Sequence, residues 1–166
     1  LAFSDETTVK PMVTSRDHKR ALDGDQGLNT GGMGAVSPGA DLTDAQMQMM
    51  QATIFQPTID AMRAEGAPFR GVIYFGLMLT PEGPKVIEYN ARFGDPEAQV
   101  VLPRLKTDLI DIMEAVRDGR LAEQGIEYLT DCSCCVVMAS GGYPGTYQTG
   151  YPISGLDQKD VIIFHA

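Results

Sequence analysis

The sequence has no apolar run approaching the roughly 18–20 residues of a membrane-spanning helix, so no helical span is expected. Cysteine is scarce and crowded: Cys132, Cys134 and Cys135 fall within four residues, and an odd, tight group is no disulfide framework. Histidine is scarcer still. Only His18 and His165 are available, which leaves no second ligand pair for zinc. Basic residues are outnumbered, 13 Lys and Arg against 22 Asp and Glu in 166 residues, for a net charge of -9. Affinity for a phosphate backbone needs clustered Lys and Arg, so nucleic acid is a poor candidate partner. There is no internal repeat and no low-complexity tract. No secretory signal is visible, and Cys134–Cys135–Val136–Val137 reads as a buried strand whose thiols are small core hydrophobes. Reduced core thiols point to a cytoplasmic protein. The chain opens at Leu1 and closes on Val161–Ala166, both strand-like runs where domain ends are usually polar. The expectation is a piece cut from something larger.

What is present alternates short strands with helical patterns. Leu1–Phe3 and Thr8–Val9 flank a polar turn and predict a hairpin. Residues 23–39 carry six glycines and a proline and read as a long loop, of a kind that is often functional. Met47, Met50, Ile54, Ile59 and Met62 follow helical spacing over 43–65, with Thr43 and Asp44 at the start, Gly66 at the stop and a kink at Pro57. Residues 71–80 predict a buried strand, and Pro81–Pro84 a turn into a return strand at 85–91. A helix opens at Pro96, and another runs from an N-cap at Thr107 to Gly119. Two or three short strands are expected in 132–166.

Three stretches carry chemistry. On the return strand, alternation points Ile87, Tyr89 and Ala91 into a core and lines up Glu88, Asn90 and Arg92 on the other face. A carboxylate and an amide offer oxygen ligands to a hard cation such as magnesium, and the guanidinium suits phosphate oxygens. The competing reading is a solvated face with a Glu–Arg pair. Next come Asp95 and Glu97, which either cap a helix and favour its dipole or contact a ligand. Finally, Asn29–Thr30–Gly31–Gly32–Met33–Gly34 is glycine-rich, with Asp17, Lys19 and Arg20 just upstream. Glycines let backbone N–H groups approach an anion, but no Gly-Lys-Ser/Thr follows and no strand leads directly in. Either an anion-binding loop or a flexible linker fits.

Together, Arg92–Val100, Asp17–Arg20, Asp23–Asp25, Asn29–Ala35 and Ser140–Gly145 resemble the phosphoribosylamine–glycine ligase family of the ATP-grasp superfamily. The resemblance covers nearly the whole chain. It implies an α+β fold: residues 1–120 as the latter part of an ATP-grasp core, an antiparallel sheet with helices on one face; 121–125 as a linker; and 126–166 as the beginning of a small β-rich C-terminal domain. It implies ATP, glycine and 5-phosphoribosylamine as substrates, and a glycyl phosphate intermediate. Glu88 and Asn90 would ligate magnesium or manganese, and Arg92 would stabilise the transferred phosphoryl group. Asp17, Lys19, Thr30, Gly31, Gly32, Met33, Gly34, Asp95 and Glu97 would line the substrate site. The alternatives are a different ATP-grasp carboxylate–amine ligase or a non-catalytic module. This sequence departs from the family in having Leu28 where proline is frequent, and no carboxylate in 71–80 where many ATP-grasp enzymes place a first metal-binding acid. The family's N-terminal domain, its ATP lid and its adenine pocket would precede Leu1, and the end of the C-terminal domain would follow Ala166. The fragment alone is expected to be inactive.

Overall fold

The computed structural model describes residues 1–165. Ala166, expected to end a strand, lies outside the described residues. The fold is built on β1 (Ala2–Asp5), β2 (Val9–Pro11), β7 (Arg70–Thr80) and β8 (Gly83–Asn90), which form one antiparallel sheet in the order β2-β1-β7-β8. All four residues of β1 are buried, and side chains alternate across a strand. Both sheet faces must therefore be covered. On one face, Ala2, Ile73 and Phe75 pack against Met50, Phe55 and Ile59. On the other, Phe3 and Val72 pack against Val100, Val101, Ile112 and Val116. Helices thus flank both faces, where one covered face was expected.

The first face is covered by α1 (Asp44–Met50), a π-helical turn (Gln51–Phe55) and α2 (Gln56–Ala64). Thr43 begins this run as expected, its hydroxyl accepting from the Gln46 N–H while the Gln46 side chain returns to the Thr43 N–H. Pro57 has no N–H to donate to the turn before it. The chain widens there, so that Gln56 N donates back to Gln51 O, and the expected kink takes the form of a π turn. The second face is covered by α3 (Ala98–Val101), a 3₁₀ turn (Leu102–Arg104) and α4 (Leu109–Asp118). Asp108, not Thr107, caps α4, its carboxylate accepting from Ile110 N at 2.8 Å. The Thr107 hydroxyl instead accepts from Glu127 N. Gly119 closes α4 at φ 69°, a left-handed value that glycine adopts freely.

The expected 23–39 loop is interrupted by two strands, at 26–29 and 34–37. β4 (Arg20–Leu22) and β5 (Gln26–Asn29) form a small hairpin, and β6 (Gly34–Ser37) lies between β3 (Arg16–Asp17) and β9 (Ser133–Val136) in a second sheet. Here propensity misleads, because the glycines serve turns and close approaches between paired strands. β9 is the one strand among the described residues after 132, where two or three were expected. Its ladder, Gly34↔Val136 to Ser37↔Ser133, ties the C-terminal part of the chain to the core. β9 lies at a sheet edge, so the thiols expected in the core are largely outside it: Cys132 and Cys134 are exposed and Cys135 is half-buried.

Candidate active site

The site is built where β7 and β8 pair. Gly76 lies opposite Glu88, and Tyr74 opposite Asn90. A Cβ at Gly76 would stand 2.8 Å from Glu88 Cγ. Strand β7 therefore has a glycine where a second carboxylate would collide with the first. The ladder slips between Gly76↔Glu88 and Leu77↔Val86, a β-bulge at Ile87. The bulge breaks the alternation at Ile87, which was expected in the core, whereas Tyr89 keeps the expected face, opposite Phe75, and Ala91 is exposed past the strand's end. Ile87 is 62% exposed, while Tyr89 stacks edge-on against Phe75, 5.6 Å between ring centres, and its hydroxyl hydrogen-bonds that of Thr58 at 3.2 Å. Glu88 is exposed and Asn90 half-buried, both on the β7–β8 surface away from that stack.

Arg92 follows at the end of β8. Its guanidinium is exposed and donates to Phe93 O at 2.9 Å. Among the described residues no Glu88–Arg92 ion pair forms, so the solvated-pair reading loses its contact. Asp95 and Glu97 do not cap a helix: Asp95 accepts from Gln99 Nε2 at 2.7 Å, and α3 starts with no side-chain cap. Glu97 is instead 4% exposed, and Gly94 is folded against it so closely that a Cβ there would lie 2.3 Å from Glu97 Oε2.

Asp17 converges on the same place from β3. Its side chain is nearly buried, with Lys19 Nζ 3.4 Å from Oδ2 and no partner for Oδ1. Burial first, then the Glu97 charge, raise its carboxyl above the ordinary range, against the pull of Lys19. Tyr74 completes the cluster. Burial, then the adjacent Glu97, then the charges of Asp17 and Glu88 push its phenol far up, so it stays protonated as a donor. Tyr74 was missed in the sequence. The available signal was its register, two residues before Gly76 on the Glu88–Asn90 face.

The glycine stretch borders this cluster. Gly32 adopts φ +140°, and a Cβ there would meet Pro96 Cδ at 2.3 Å and Asp17 Oδ1 at 2.9 Å, so only glycine lets the two segments close. Its amides at 30–33 are engaged within the protein. Thr30 N donates to Lys19 O, Gly32 N to the Thr30 hydroxyl and Met33 N to His18 O. Gly31 N donates to Tyr143 Oη at 3.1 Å, across 112 residues of chain. The structure thus brings together Asp17, Lys19, Thr30, Gly31, Gly32, Glu97, Glu88 and Asn90. Met33 and Gly34 continue into β6, and Arg92 and Asp95 stand exposed on the adjoining 92–95 turn.

Which groups suit a metal follows from their chemistry. Glu88 and Asn90 supply hard oxygen donors, and Gly76 leaves Glu88 room. They fit a magnesium ion that takes few protein ligands and completes its shell with water and phosphate. Among the described residues no group of three or more His, Cys, Asp or Glu side chains is arranged to hold an ion. None of the described helices is long and apolar enough to cross a membrane.

The antiparallel sheet flanked by helices is that of part of an ATP-grasp core. The family model described as phosphoribosylglycinamide synthetase, ATP-grasp (A) domain, matches residues 1–98, and the chain belongs to that family. It is 52% identical over 168 residues to a phosphoribosylamine–glycine ligase of Halalkalibacterium halodurans, covering 100% of this chain and 39% of that protein. It is 49% identical over 170 residues to the trifunctional purine biosynthetic protein adenosine-3 of Gallus gallus, covering 100% of this chain and 17% of that one. Among solved structures, a crystal structure of phosphoribosylamine–glycine ligase from Thermotoga maritima superposes with a TM-score of 0.79 at 31% identity, over 89% of this chain and 37% of that one. The chain thus spans 39% of the length of its bacterial relative.

Proposed function

We propose that this chain is the metal- and substrate-bearing part of a cytoplasmic phosphoribosylamine–glycine ligase, which uses ATP to join glycine to 5-phosphoribosylamine in purine synthesis. The observation that carries the reading is the Glu88–Asn90 file on β8, facing Tyr74 and Gly76 and bordered by Asp17, Glu97 and the glycine stretch. In this reading Glu88 and Asn90 would hold magnesium or manganese, which would supply charge to neutralise the nucleotide phosphates. A glycine carboxylate oxygen attacks the terminal phosphorus of ATP, and ADP leaves. The amine nitrogen of phosphoribosylamine then attacks the acyl carbon of glycyl phosphate. Phosphate departs and the nitrogen loses a proton. Arg92, exposed beside the metal pair, stabilises the transferring phosphoryl group. Such chemistry depends mainly on positioning and charge neutralisation. Lys19, Thr30 to Gly34, Asp17, Asp95 and Glu97 hold the two small substrates.

The domain division proposed is 1–120 for the core, 121–125 for the linker and 126–166 for the start of the C-terminal domain, with the β6–β9 ladder as the seam between them. The test is ADP release by the full-length protein with carboxylates and amines varied independently. The reading predicts release only when glycine and phosphoribosylamine are both present. Release with another carboxylate in place of glycine would instead identify a different ATP-grasp ligase.

A further inference from the structure

Three of the four amides at 30–33 donate to neighbouring groups of the same hairpin region. Gly31 alone donates to a side chain from a distant segment, the hydroxyl of Tyr143. Its partner is therefore one that an arriving ligand can share. The segment that presents Tyr143 is built to do so. Tyr143 N donates to Ser140 O and Gly145 N to Gly142 O at 2.8 Å, closing a tight turn. Gly142 sits at φ +100°, where a Cβ would strike Thr146 O at 2.5 Å. The Tyr143 ring is braced edge-on by Tyr147, with centroids 5.6 Å apart.

When Tyr143 Oη accepts the Gly31 N–H, its own O–H remains to be donated, and the accepted bond polarises it. Lys19 O accepts from both Thr30 N and the Thr30 hydroxyl, which fixes the Lys19 backbone beside the glycine stretch, while its half-exposed ammonium pairs with Asp17. An O–H left free and polarised in this way is a donor suited to an oxyanion. The Tyr143 hydroxyl has no other hydrogen-bond partner among the described residues.

We propose that Tyr143, carried in by the C-terminal segment, is a substrate-binding residue whose hydroxyl, oriented by the Gly31 N–H, donates to the phosphate of a phosphomonoester substrate. The proposal rests on the reading above that the glycine stretch lines the phosphoribosylamine site. It adds a residue from beyond the linker, so the core binds this substrate fully only when the 140–147 turn is docked.

The test is ribose 5-phosphate titrated into the 166-residue chain, followed by amide and aromatic resonances, for the native chain and for Tyr143→Phe. The substitution keeps the ring and its contact with Tyr147 and removes only the hydroxyl. Native-like dispersion of the variant spectrum shows that it folds. The expected result is ribose 5-phosphate-dependent shifts at Gly31 and Tyr143, an affinity about tenfold weaker in Tyr143→Phe, and faster hydrogen exchange at the Gly31 amide of the variant. Glycine alone is expected to leave both positions unmoved. Equal affinity in the two chains, no shift at Gly31 and Tyr143, or shifts there with glycine in place of ribose 5-phosphate would each overturn the proposal. In the full-length protein the two readings separate. Glycine-dependent ADP release with an unchanged KM for the phosphoribosyl substrate in Tyr143→Phe would remove Tyr143 from the site and leave the ligase reading standing.

Discussion

Single glycines decide how closely the segments around the site can approach. Gly32 is the tightest case, wedged between Pro96 and the unpartnered oxygen of Asp17 in a backbone conformation that L residues rarely adopt. Gly32→Ala must push Pro96 or Asp17 aside, and overpacking plus backbone strain of this kind costs about 1–3 kcal/mol. Urea unfolding is expected to show that loss. An unchanged midpoint would mean the segments separate freely. At Gly76 the consequence falls on the metal pair. Gly76→Ala displaces Glu88, and its expected effect is weaker manganese broadening of the Asn90 amide in the chain with little change in stability. These contacts were not legible in the sequence. Glu88 and Asn90 could be placed on one face from alternation alone, but the bulge at Ile87 could not, because a one-residue slip leaves no mark in composition. Nor could the burial of Glu97, which looked like a helix-dipole residue until its surroundings folded around it.

At the level of elements, the β1–β2 hairpin is held by Asp5. The carboxylate is buried at the end of β1 and accepts from Thr7 N, the Thr7 hydroxyl, Thr8 N and, across the molecule, Leu121 N at 3.0 Å. Burial raises its pKa most, but the bonds from Thr8, Thr7 and Leu121 together outweigh it, and the net shift is downward. A depressed folded-state pKa gives stability that is present above the unfolded value, near 3.9, and lost as pH falls through the folded value. The native chain should therefore lose stability in acid below about pH 4. Asp5→Asn should be less stable at pH 7 by about 1–3 kcal/mol and show a shallower acid slope. Equal slopes in acid unfolding of the two chains would contradict this account of the hairpin. The hairpin itself was readable, since Asp5–Glu6 separates two apolar runs. The β4–β5 hairpin was not, because its strands are short, polar and exposed, and propensity there says only loop.

For the whole molecule, two cores share the central sheet, and β1 runs between them. Phe3→Ala would open a cavity on the α3–α4 side and cost about 3–5 kcal/mol, with both faces loosening because Ala2 on the same strand serves the other core. A single cooperative transition by tryptophan-independent probes, far-ultraviolet circular dichroism and amide exchange, is the expected behaviour; two separated transitions would mean the cores fold independently. The family and the antiparallel core were legible from the runs at 17–35 and 92–100. The two-sided packing was not, because a four-residue strand buried on both faces looks in sequence like any short apolar run. The β6–β9 pairing was equally hidden, since it joins segments about a hundred residues apart through small residues and valine alone.

The central claim is that Glu88 and Asn90 hold the metal at which phosphoryl transfer occurs. It is tested most directly by the glycine-dependent rate of ADP release from the full-length protein carrying Glu88→Gln and Asn90→Ala. The account predicts a loss of at least about 10²-fold in kcat with the fold retained by circular dichroism. Near-normal turnover in that folded variant would contradict it.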